Sequence, residues 1–350
     1  MPPPSTQKRL LVLDACRGLA AILVVVYHYI SIFKENFGYN LLGGFFLFGQ
    51  WGVDFFFLLS AFILAYRYSQ KKFTFLDALL FLKKRFVRIY PPYWFIALVV
   101  FVIYFFLYPN LVNPLFIFSS ITLYPYWPRL ITPAWTITYE VLFYILFATG
   151  LIIRKKWVVI FLSCTGIGAL LYHNIFIHQI LLVDLPLTNG LTDFLTNYII
   201  IEFFMGLLIF HLYKKMHNMS INFIRILLYS TLCSLIVISI IYAHYFRELN
   251  DVRRLFFIAV PISGLILSFA LLESKSRIQI PQPLMSLGKA SYSIFITHGV
   301  ILSVQARLMK LVRAWDNISL PILLIGGIFT SITFGIGYYY FVERRLTKTV

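Results

Sequence analysis

The chain alternates long apolar stretches with short polar segments, and this pattern predicts its secondary structure. A helix needs about twenty mostly apolar residues to cross the hydrocarbon core of a bilayer. Stretches that meet this requirement lie at 10–31, 50–67, 90–108, 133–153, 157–172, 191–213, 223–243, 254–272, 291–309 and 320–342. The sequence therefore predicts an all-α, polytopic membrane protein with about ten transmembrane helices, organised as a single domain over residues 1–350.

The first apolar stretch contains three ionisable side chains, Asp14, Arg17 and His28. An Asp or Arg near the centre of a transmembrane helix costs roughly 2.5 to 3.5 kcal/mol, so intramembrane ionisable groups usually face a protein interior and mark function. Arg17 and His28 are eleven residues apart, which at about 100° per residue places them on nearly the same face of a helix. Asp14 lies about 40° from that line. We therefore expect one stripe of this helix to contain an acid, a guanidinium and an imidazole.

Two further carboxyl groups lie inside predicted spans. Asp54 is about one turn inside the second span, and Glu140 is about 10 Å below the outer end of the fourth. His28 lies about 27 Å along the first span, so all three groups are expected at a similar depth in the outer half of the membrane. Asp54 is equally compatible with a cap at the start of its helix, and Glu140 with a structural ion pair.

A basic cluster precedes the third span, in the sequence LKKRFVRIYPPYW, and is expected to end a cytoplasmic loop. Arg85 and Arg88 are three residues apart, so on a helix they would share a face and offer forked donors that suit phosphate groups. The same cluster is also an ordinary signal of membrane topology. Both interpretations remain open from the residues alone.

Composition and charge restrict the class of protein and its orientation. Hydrophobic residues make up 60% of the chain and charged residues only 12%, which excludes a water-soluble domain. The net charge of +17 comes from basic residues in loops on one side of the predicted spans, the positive-inside pattern, rather than from a nucleic-acid-binding domain. This predicts that both termini are cytoplasmic and that the protein is a multi-pass component of the inner, cytoplasmic membrane.

The cysteines and the other histidines add few candidates for a functional site. Cys16, Cys164 and Cys233 lie in apolar stretches and are interpreted as small buried hydrophobes, and no histidines have metal-ligand spacing. We therefore predict no metal site. His298 lies about 10 Å inside the ninth span. It is interpreted either as a core histidine bonded to a neighbour or as a member of the functional site.

Taken in order, six segments resemble the acyltransferase 3 family of membrane-bound O-acyltransferases. They are LDACRGLAAILVVVYH, GVDFFFLLSAF, RFVRIYPPYW, WTITYEVLFY, IEFFMGLLI and SYSIFITH. The chain departs from the family's usual pattern at a few positions, with Ala61 in place of glycine, Thr136 and Thr138 in place of serines, and Arg345 in place of proline. Because threonine retains the hydroxyl group, the two threonine changes affect only fine geometry.

The resemblance implies an acyl-CoA donor that enters from the cytoplasm, a saccharide acceptor outside, and no bound cofactor. It assigns the essential histidine to His28 and donor binding to Arg17, Arg85 and Arg88. From their predicted depth, Glu140 and Asp54 are expected as catalytic partners of His28, and Asp14, near Arg17 on the first helix, is expected to contribute to donor binding. Residues expected to support the site are Ser60, Trp135, Thr138 and His298. The base would take a proton from the acceptor hydroxyl, for which an imidazole with an ordinary pKa of about 6.5 is suited. Transfer through an acyl-histidine intermediate is the alternative.

Two functions compete at this point. The first is an O-acyltransferase, in particular an O-acetyltransferase, that modifies a surface glycan such as an O-antigen or exopolysaccharide. The second is a transporter or flippase for a lipid-linked or anionic substrate, which also needs about ten helices and buried charges. Transporters are commonly built from internal repeats, whereas this sequence shows none. The resemblance and the concentration of polar residues in the first four spans favour the enzyme.

Overall fold

The structure of this protein is a computed structural model, and it describes residues 9–68, 74–125, 129–153, 194, 197–245, 251–276 and 278–348. Within these ranges every regular element is helical and none is a β-strand. In the described part of the chain, eight helical segments are long and apolar enough to cross a membrane. The prediction of an all-α, multi-pass membrane protein is confirmed, whereas the count of about ten spans and the cytoplasmic termini stay predictions. Lying outside the described residues are the predicted fifth span at 157–172, the basic loop at 154–156 and Cys164.

The principal helices of the described ranges are numbered here in chain order. They are α1 Leu11–Phe37, α2 Gly52–Tyr68, α3 Phe75–Leu107, α4 Pro114–Thr122, α5 Ala134–Ile153, α6 Ile199–Met216, α7 Ile221–Tyr245, α8 Val260–Lys275, α9 Gln282–Val312 and α10 Leu320–Tyr338. A 3₁₀ segment, Leu41–Trp51, leads into α2, and π-helical turns at Leu255–Ala259 and Tyr339–Glu343 precede α8 and follow α10.

The chain forms two compact units. The first consists of Met1–Gln70 and Met205–Tyr340, and the second of Lys71–Phe204 and Phe341–Val350. The first unit therefore contains α1, α2, most of α6, and α7 to α10. The second contains α3, α4, α5 and the first six residues of α6, 199–204.

Helix α3 begins well before the predicted third span, so the prediction that Arg85 and Arg88 end a loop is wrong. A capping box starts the helix at Thr74. The Thr74 hydroxyl accepts a hydrogen bond from the Asp77 backbone amide (3.2 Å), and the Asp77 carboxylate accepts one from the Thr74 amide (3.0 Å). This pair satisfies donors that otherwise lack a partner at a helix start. Both arginines consequently lie on one face of α3. The helix continues through the adjoining Pro91 and Pro92.

Two other helices are also longer than the apolar pattern predicts. Helix α1 continues past residue 31 to Phe37 and ends at Gly38, whose φ of 66° is left-handed, with its amide bonded to the Lys34 carbonyl. Glycine adopts this conformation without steric cost. Helix α9 begins at Gln282, so Lys289 is helical rather than part of a loop. The predicted depth of about 10 Å for His298 is therefore wrong, since this residue lies about 24 Å from the start of its helix. In both cases polar residues continue a helix beyond the span that hydropathy detects.

Helices α1 and α9 pack in parallel through two glycines. A Cβ atom on Gly288 would lie 2.2 Å from the Asp14 carbonyl oxygen, and one on Gly18 would lie 2.7 Å from the Gly288 backbone nitrogen. Further along the same two helices, Lys310 donates a hydrogen bond to Asn36 (2.9 Å). Small residues permit such close helix contacts within membranes. The ten-span topology places seven spans, an odd number, between α1 and α9, and is therefore compatible with their parallel arrangement.

The start of α1 is capped by a side chain from a distant part of the sequence. Leu10 precedes the helix and offers no side-chain acceptor. Glu273 of α8 instead accepts hydrogen bonds from the backbone amides of Leu11 and Val12, and this carboxylate is almost fully buried. A carboxylate at a helix N-terminus also interacts favourably with the helix dipole. Glu273 thereby attaches the first helix of the first unit to α8.

In the second unit, three aromatic side chains of α3 hold the end of α4. Tyr90, Tyr93 and Trp94 donate hydrogen bonds to the backbone carbonyls of Thr122 (3.0 Å), Ser120 (2.8 Å) and Ile121 (2.9 Å), respectively. These bonds satisfy carbonyls that a helix end leaves without intrahelical donors. With nine residues, α4 is only about 14 Å long at 1.5 Å per residue and is too short to cross a bilayer.

Candidate active site

His28 lies on α1 in the first unit and is half-buried. Its Nδ1 atom is 2.9 Å from the carbonyl oxygen of Val24, one turn earlier on the same helix. A carbonyl can only accept a hydrogen bond, so Nδ1 must be protonated and donate it. In the neutral ring, Nε2 then holds the lone pair. The backbone of α1 therefore orients the imidazole with Nε2 available as a base.

His298 of α9 lies beside His28. The two ring centroids are 5.0 Å apart, with an angle of 51° between the ring planes. His298 is fully buried, and its Nδ1 atom contacts the carbonyl oxygen of Phe295 on the same helix. Its Nε2 atom is buried and has no hydrogen-bond partner among the described residues. The structure thus brings together two of the predicted site residues and ties both rings to backbone carbonyls.

Asp54 has a cationic partner that the sequence interpretation missed. It is 1% exposed, and both of its carboxylate oxygens accept hydrogen bonds from Arg254, at 2.8 Å from Nε and 2.6 Å from Nη2. Arg254 Nη1 also donates to Gln50 (3.2 Å), and Gln50 donates to Tyr242 (2.7 Å). Removing one partner of a buried ion pair typically costs about 3–5 kcal/mol, since the other charge is left buried and uncompensated.

The hydrogen bond that orients His28 therefore does not come from Asp54. Within the described ranges, His28 Nδ1 is bonded to Val24, and the Asp54 carboxylate is bonded to Arg254. Neither alternative offered for Asp54, a helix cap or a neighbour of His28, included this ion pair. The catalytic assignment of Asp54 stays a prediction.

The polar residues at the start of α1 form their own local contacts. Arg9 donates a hydrogen bond to the Asp14 carboxylate and forms an ion pair with it, and the Arg9 side chain is mostly exposed. Arg17 lies one turn beyond Asp14 and is half-buried. Ser60, on α2 of the same unit, is also half-buried. The donor-binding role of Asp14 and Arg17 stays a prediction.

In the second unit, Arg85 is held between two aromatic rings. Its guanidinium carbon is 5.1 Å from the ring centroids of Phe81, one turn earlier on α3, and of Tyr144 on α5. The Tyr144 hydroxyl donates a hydrogen bond to the Glu140 carboxylate. Arg85 Nε is buried and has no hydrogen-bond partner among the described residues. These two cation–π contacts hold the guanidinium carbon over both rings.

The loop before α5 contributes a second cation. Arg129 Nη1 donates a hydrogen bond to the Thr138 hydroxyl (2.7 Å), which itself donates to the Ala134 carbonyl (3.2 Å). Burial lowers the pKa of the Arg129 guanidinium from its ordinary value because desolvation disfavours the charged form. Trp135, half-buried on the same helix, contacts the Tyr139 ring. Thr138 thus keeps the hydroxyl group of the serine expected at this position, and this hydroxyl accepts the hydrogen bond from Arg129.

Four residues with structural roles at these sites were not assigned by sequence reasoning. Arg254 and Glu273 stand at the ends of the predicted eighth span, where a charge is typical of an ordinary helix flank. Arg129 lies in a predicted loop, where a basic residue is ordinary, and Tyr144 is one of several aromatic residues in the predicted fourth span. Their partners are distant in sequence or depend on where a helix begins. In the described part of the chain, no three His, Cys, Asp or Glu side chains form a group that could bind a metal.

Comparison with known proteins decides the family. The sequence matches the acyltransferase domain of the acyltransferase 3 family over residues 10–340. The chain belongs to this family. It is 25% identical over 317 residues to the "Exopolysaccharide production protein ExoZ" of Rhizobium meliloti (strain 1021), covering 87% of this chain and 92% of that protein.

A shorter similarity involves a second protein. The chain is 36% identical over 90 residues to "Protein 2 in picA locus" of Rhizobium radiobacter, covering 25% of this chain and 42% of that protein. No solved structure matches the chain. The match to the acyltransferase 3 family includes residues of both compact units, and it confirms the resemblance deduced from the six motifs.

Proposed function

We propose that this acyltransferase 3 protein transfers an acyl group, most simply acetyl, from acyl-CoA to a hydroxyl group of an extracytoplasmic saccharide. Family membership supports the acyl transfer. The name of the Rhizobium meliloti relative, which concerns exopolysaccharide production, supports a polysaccharide acceptor. The observation that carries the proposal is the orientation of His28, whose Nδ1 is bound to the Val24 carbonyl and whose Nε2 is a base in the neutral ring.

The reaction follows from that protonation state. Nε2 of His28 takes the proton of the acceptor hydroxyl as its oxygen attacks the thioester carbonyl carbon. The carbon–sulfur bond then breaks, and the proton on His28 passes to the leaving CoA sulfur, which departs as the thiol. A new ester forms and the histidine returns to its starting state. General base catalysis of this kind contributes roughly 10² to 10⁴ to the rate.

The donor is proposed to bind through arginines. Arg85 supports this role because two aromatic rings hold its guanidinium and its buried Nε lacks a partner in the described residues. Arg88 is one turn away on α3, and Arg17 is on α1. Guanidinium groups bind phosphates through two parallel hydrogen bonds, which suits the phosphate groups of CoA. Glu140 is proposed to stabilise this cationic cluster through Tyr144, in addition to any catalytic role.

The transfer is proposed to be vectorial, with the donor on the cytoplasmic side and the acceptor on the outer side of the inner membrane. The positive-inside distribution of the loops supports cytoplasmic termini. His28 is seventeen residues from the start of α1 at Leu11, or about 26 Å at 1.5 Å per residue. It therefore lies most of the way across a hydrocarbon core of about 30 Å.

The experiment measures acyl transfer by the purified full chain in lipid nanodiscs. Labelled acetyl-CoA is incubated with a panel of surface polysaccharides, and the label is located on the glycan. We expect labelled ester with wild-type protein and a loss of about 10² to 10⁴ in rate with His28→Ala. The matched control is His211→Ala, which removes an exposed histidine of α6 and should retain the wild-type rate.

Two results would contradict the proposal. A His28→Ala protein that is folded, expressed at the level of the wild type and transfers acetyl at a normal rate would exclude His28 as the base. A wild-type protein that binds no acyl-CoA and labels no saccharide, while remaining folded in nanodiscs, would exclude acyl-CoA-dependent transfer itself.

A further inference from the structure

The buried Nε2 atom of His298 has no role in the mechanism described so far. This nitrogen has no hydrogen-bond partner among the described residues, although its ring is completely buried. Buried polar atoms without a partner are uncommon because their desolvation is not compensated. The neighbouring Ile294, Phe295 and Ile296 are buried apolar residues. A leucine or phenylalanine would fill this position of α9 without an unpaired nitrogen, so packing alone does not account for a histidine.

The tautomers of the two rings explain why this nitrogen is unpaired. Both histidines direct a protonated Nδ1 to a backbone carbonyl of their own helix, Val24 for His28 and Phe295 for His298. Both Nε2 atoms are then acceptors in the neutral rings, and two acceptors cannot form a hydrogen bond with each other. The situation changes when His28 takes a proton at Nε2, since the pair then consists of one donor and one acceptor.

The separation of the ring centroids is compatible with such a bond. Their centroids are 5.0 Å apart, and two imidazoles joined end to end by an N–H···N hydrogen bond of ordinary length have centroids about 5 Å apart. Two protonated rings at this separation would repel each other. With an effective dielectric constant of about 20, this repulsion disfavours double protonation by roughly a hundredfold. The pair is therefore suited to hold a single proton.

We propose that His298 is a positioning residue for acyl transfer, whose Nε2 accepts a hydrogen bond from the proton that His28 acquires from the acceptor hydroxyl. The inference rests on the proposed function. His298 gains and loses no proton. The proton moves from the acceptor oxygen to His28 Nε2 and then to the CoA sulfur, and His298 stabilises the imidazolium that exists between these two transfers. An interaction present only in that charged state lowers the barrier without strengthening substrate binding.

The packing of α1 against α9 supports this role. Gly18 and Gly288 bring the two backbones into contact, and each glycine precedes the histidine of its own helix by ten residues. Because the helices are parallel, the same separation of ten residues on both sides keeps the histidines at equal height. The glycine contact therefore sets the distance between the two rings.

The test compares substitutions of His298 in the acetyl-transfer assay. His298→Leu removes the acceptor but fills the space. His298→Gln offers an amide oxygen at about the reach of Nε2, whereas the shorter His298→Asn places its amide near the position of Nδ1. We expect kcat to fall about 10- to 100-fold in His298→Leu, with the KM values of donor and acceptor within about twofold of wild type. His298→Gln should recover most of this loss, and His298→Asn should not.

A double-mutant cycle with His28→Ala provides a second measurement. If His298 acts only through the proton on His28, adding His298→Leu to His28→Ala should cause no further loss of residual transfer. A purely structural role would instead lower the melting temperature in both backgrounds. It would also reduce the rate of transfer by the same factor in both.

Several results would overturn the inference. They are an unchanged kcat in folded His298→Leu, equal loss of activity in His298→Gln and His298→Asn, or full additivity with His28→Ala. If His298→Leu does not fold, the ratio of kcat between the Gln and Asn variants decides the question. These outcomes differ from a failure of the proposed function, in which wild-type protein transfers no acetyl group or His28→Ala remains fully active.

Discussion

Substituting Gly288 by alanine should separate α1 from α9 and misplace the two histidines. The added Cβ would lie 2.2 Å from the Asp14 carbonyl oxygen and 2.8 Å from its carbonyl carbon. Carbon and oxygen normally approach to about 3.3 Å, so the backbones must move apart by about 1 Å. Because the obstructing atoms are backbone, no side-chain rotation can relieve the contact.

The size of the effect follows from this displacement. Overpacking of a close interface typically costs about 1–3 kcal/mol of stability. A displacement of about 1 Å at reacting groups reduces rates on the order of 100-fold. We therefore expect Gly288→Ala to lower both the melting temperature and kcat for acetyl transfer, with KM for acyl-CoA changed less than kcat.

Gly326→Ala is the matched control for this experiment. Gly326 lies on α10, and a Cβ atom there would have no neighbour within 4 Å. Alanine has a higher helix propensity than glycine by about 1 kcal/mol, so this variant should be as stable as the wild type or more stable. Wild-type activity and melting temperature in Gly288→Ala, measured in the same nanodiscs, would refute the interpretation that glycine contact positions the site.

Two further predictions concern donor binding and topology. Arg85→Lys keeps the charge but loses the planar guanidinium that contacts two aromatic rings, so the Kd of acetyl-CoA should rise about tenfold in calorimetry. An equal rise in the exposed Arg225→Lys control would show that the effect does not come from the environment of Arg85. In a background without native cysteines, Lys275→Cys should react with an impermeant thiol reagent only from the cytoplasmic side, and Asn317→Cys, beyond the other end of α9, only from outside. Labelling of both from the same side would show that α9 does not cross the membrane.

Hydrophobic pattern alone determined the class of fold. A bilayer accepts backbone only when its hydrogen bonds are satisfied internally, so apolar stretches of about twenty residues must be helices whatever they pack against. Helix ends were less predictable. The start of α3 depends on the capping box between Thr74 and Asp77, and the end of α1 on the left-handed Gly38, and neither feature changes hydropathy.

The candidate catalytic residue was also predictable from sequence. Burial of an ionisable side chain inside an apolar helix is costly, and this reasoning singles out Asp14, Arg17 and His28 from residue type and position. The family resemblance then selects His28 among them. The six motifs assign the arginines and the family in the same way, since they depend on residue type and order rather than on contacts.

Only the tertiary structure decided which groups are partners. Asp54 pairs with Arg254, 200 residues away, and Glu273 caps a helix that begins 262 residues earlier. The tautomer of His28 depends on a backbone carbonyl, and the neighbour of its ring, His298, belongs to a helix that the glycines of α1 and α9 bring into contact. Burial in a membrane dictates that a charge must have a partner. Helix packing sets the identity of that partner. This packing depends on small residues and on side-chain shape along the whole chain, so no single position of the sequence reveals it.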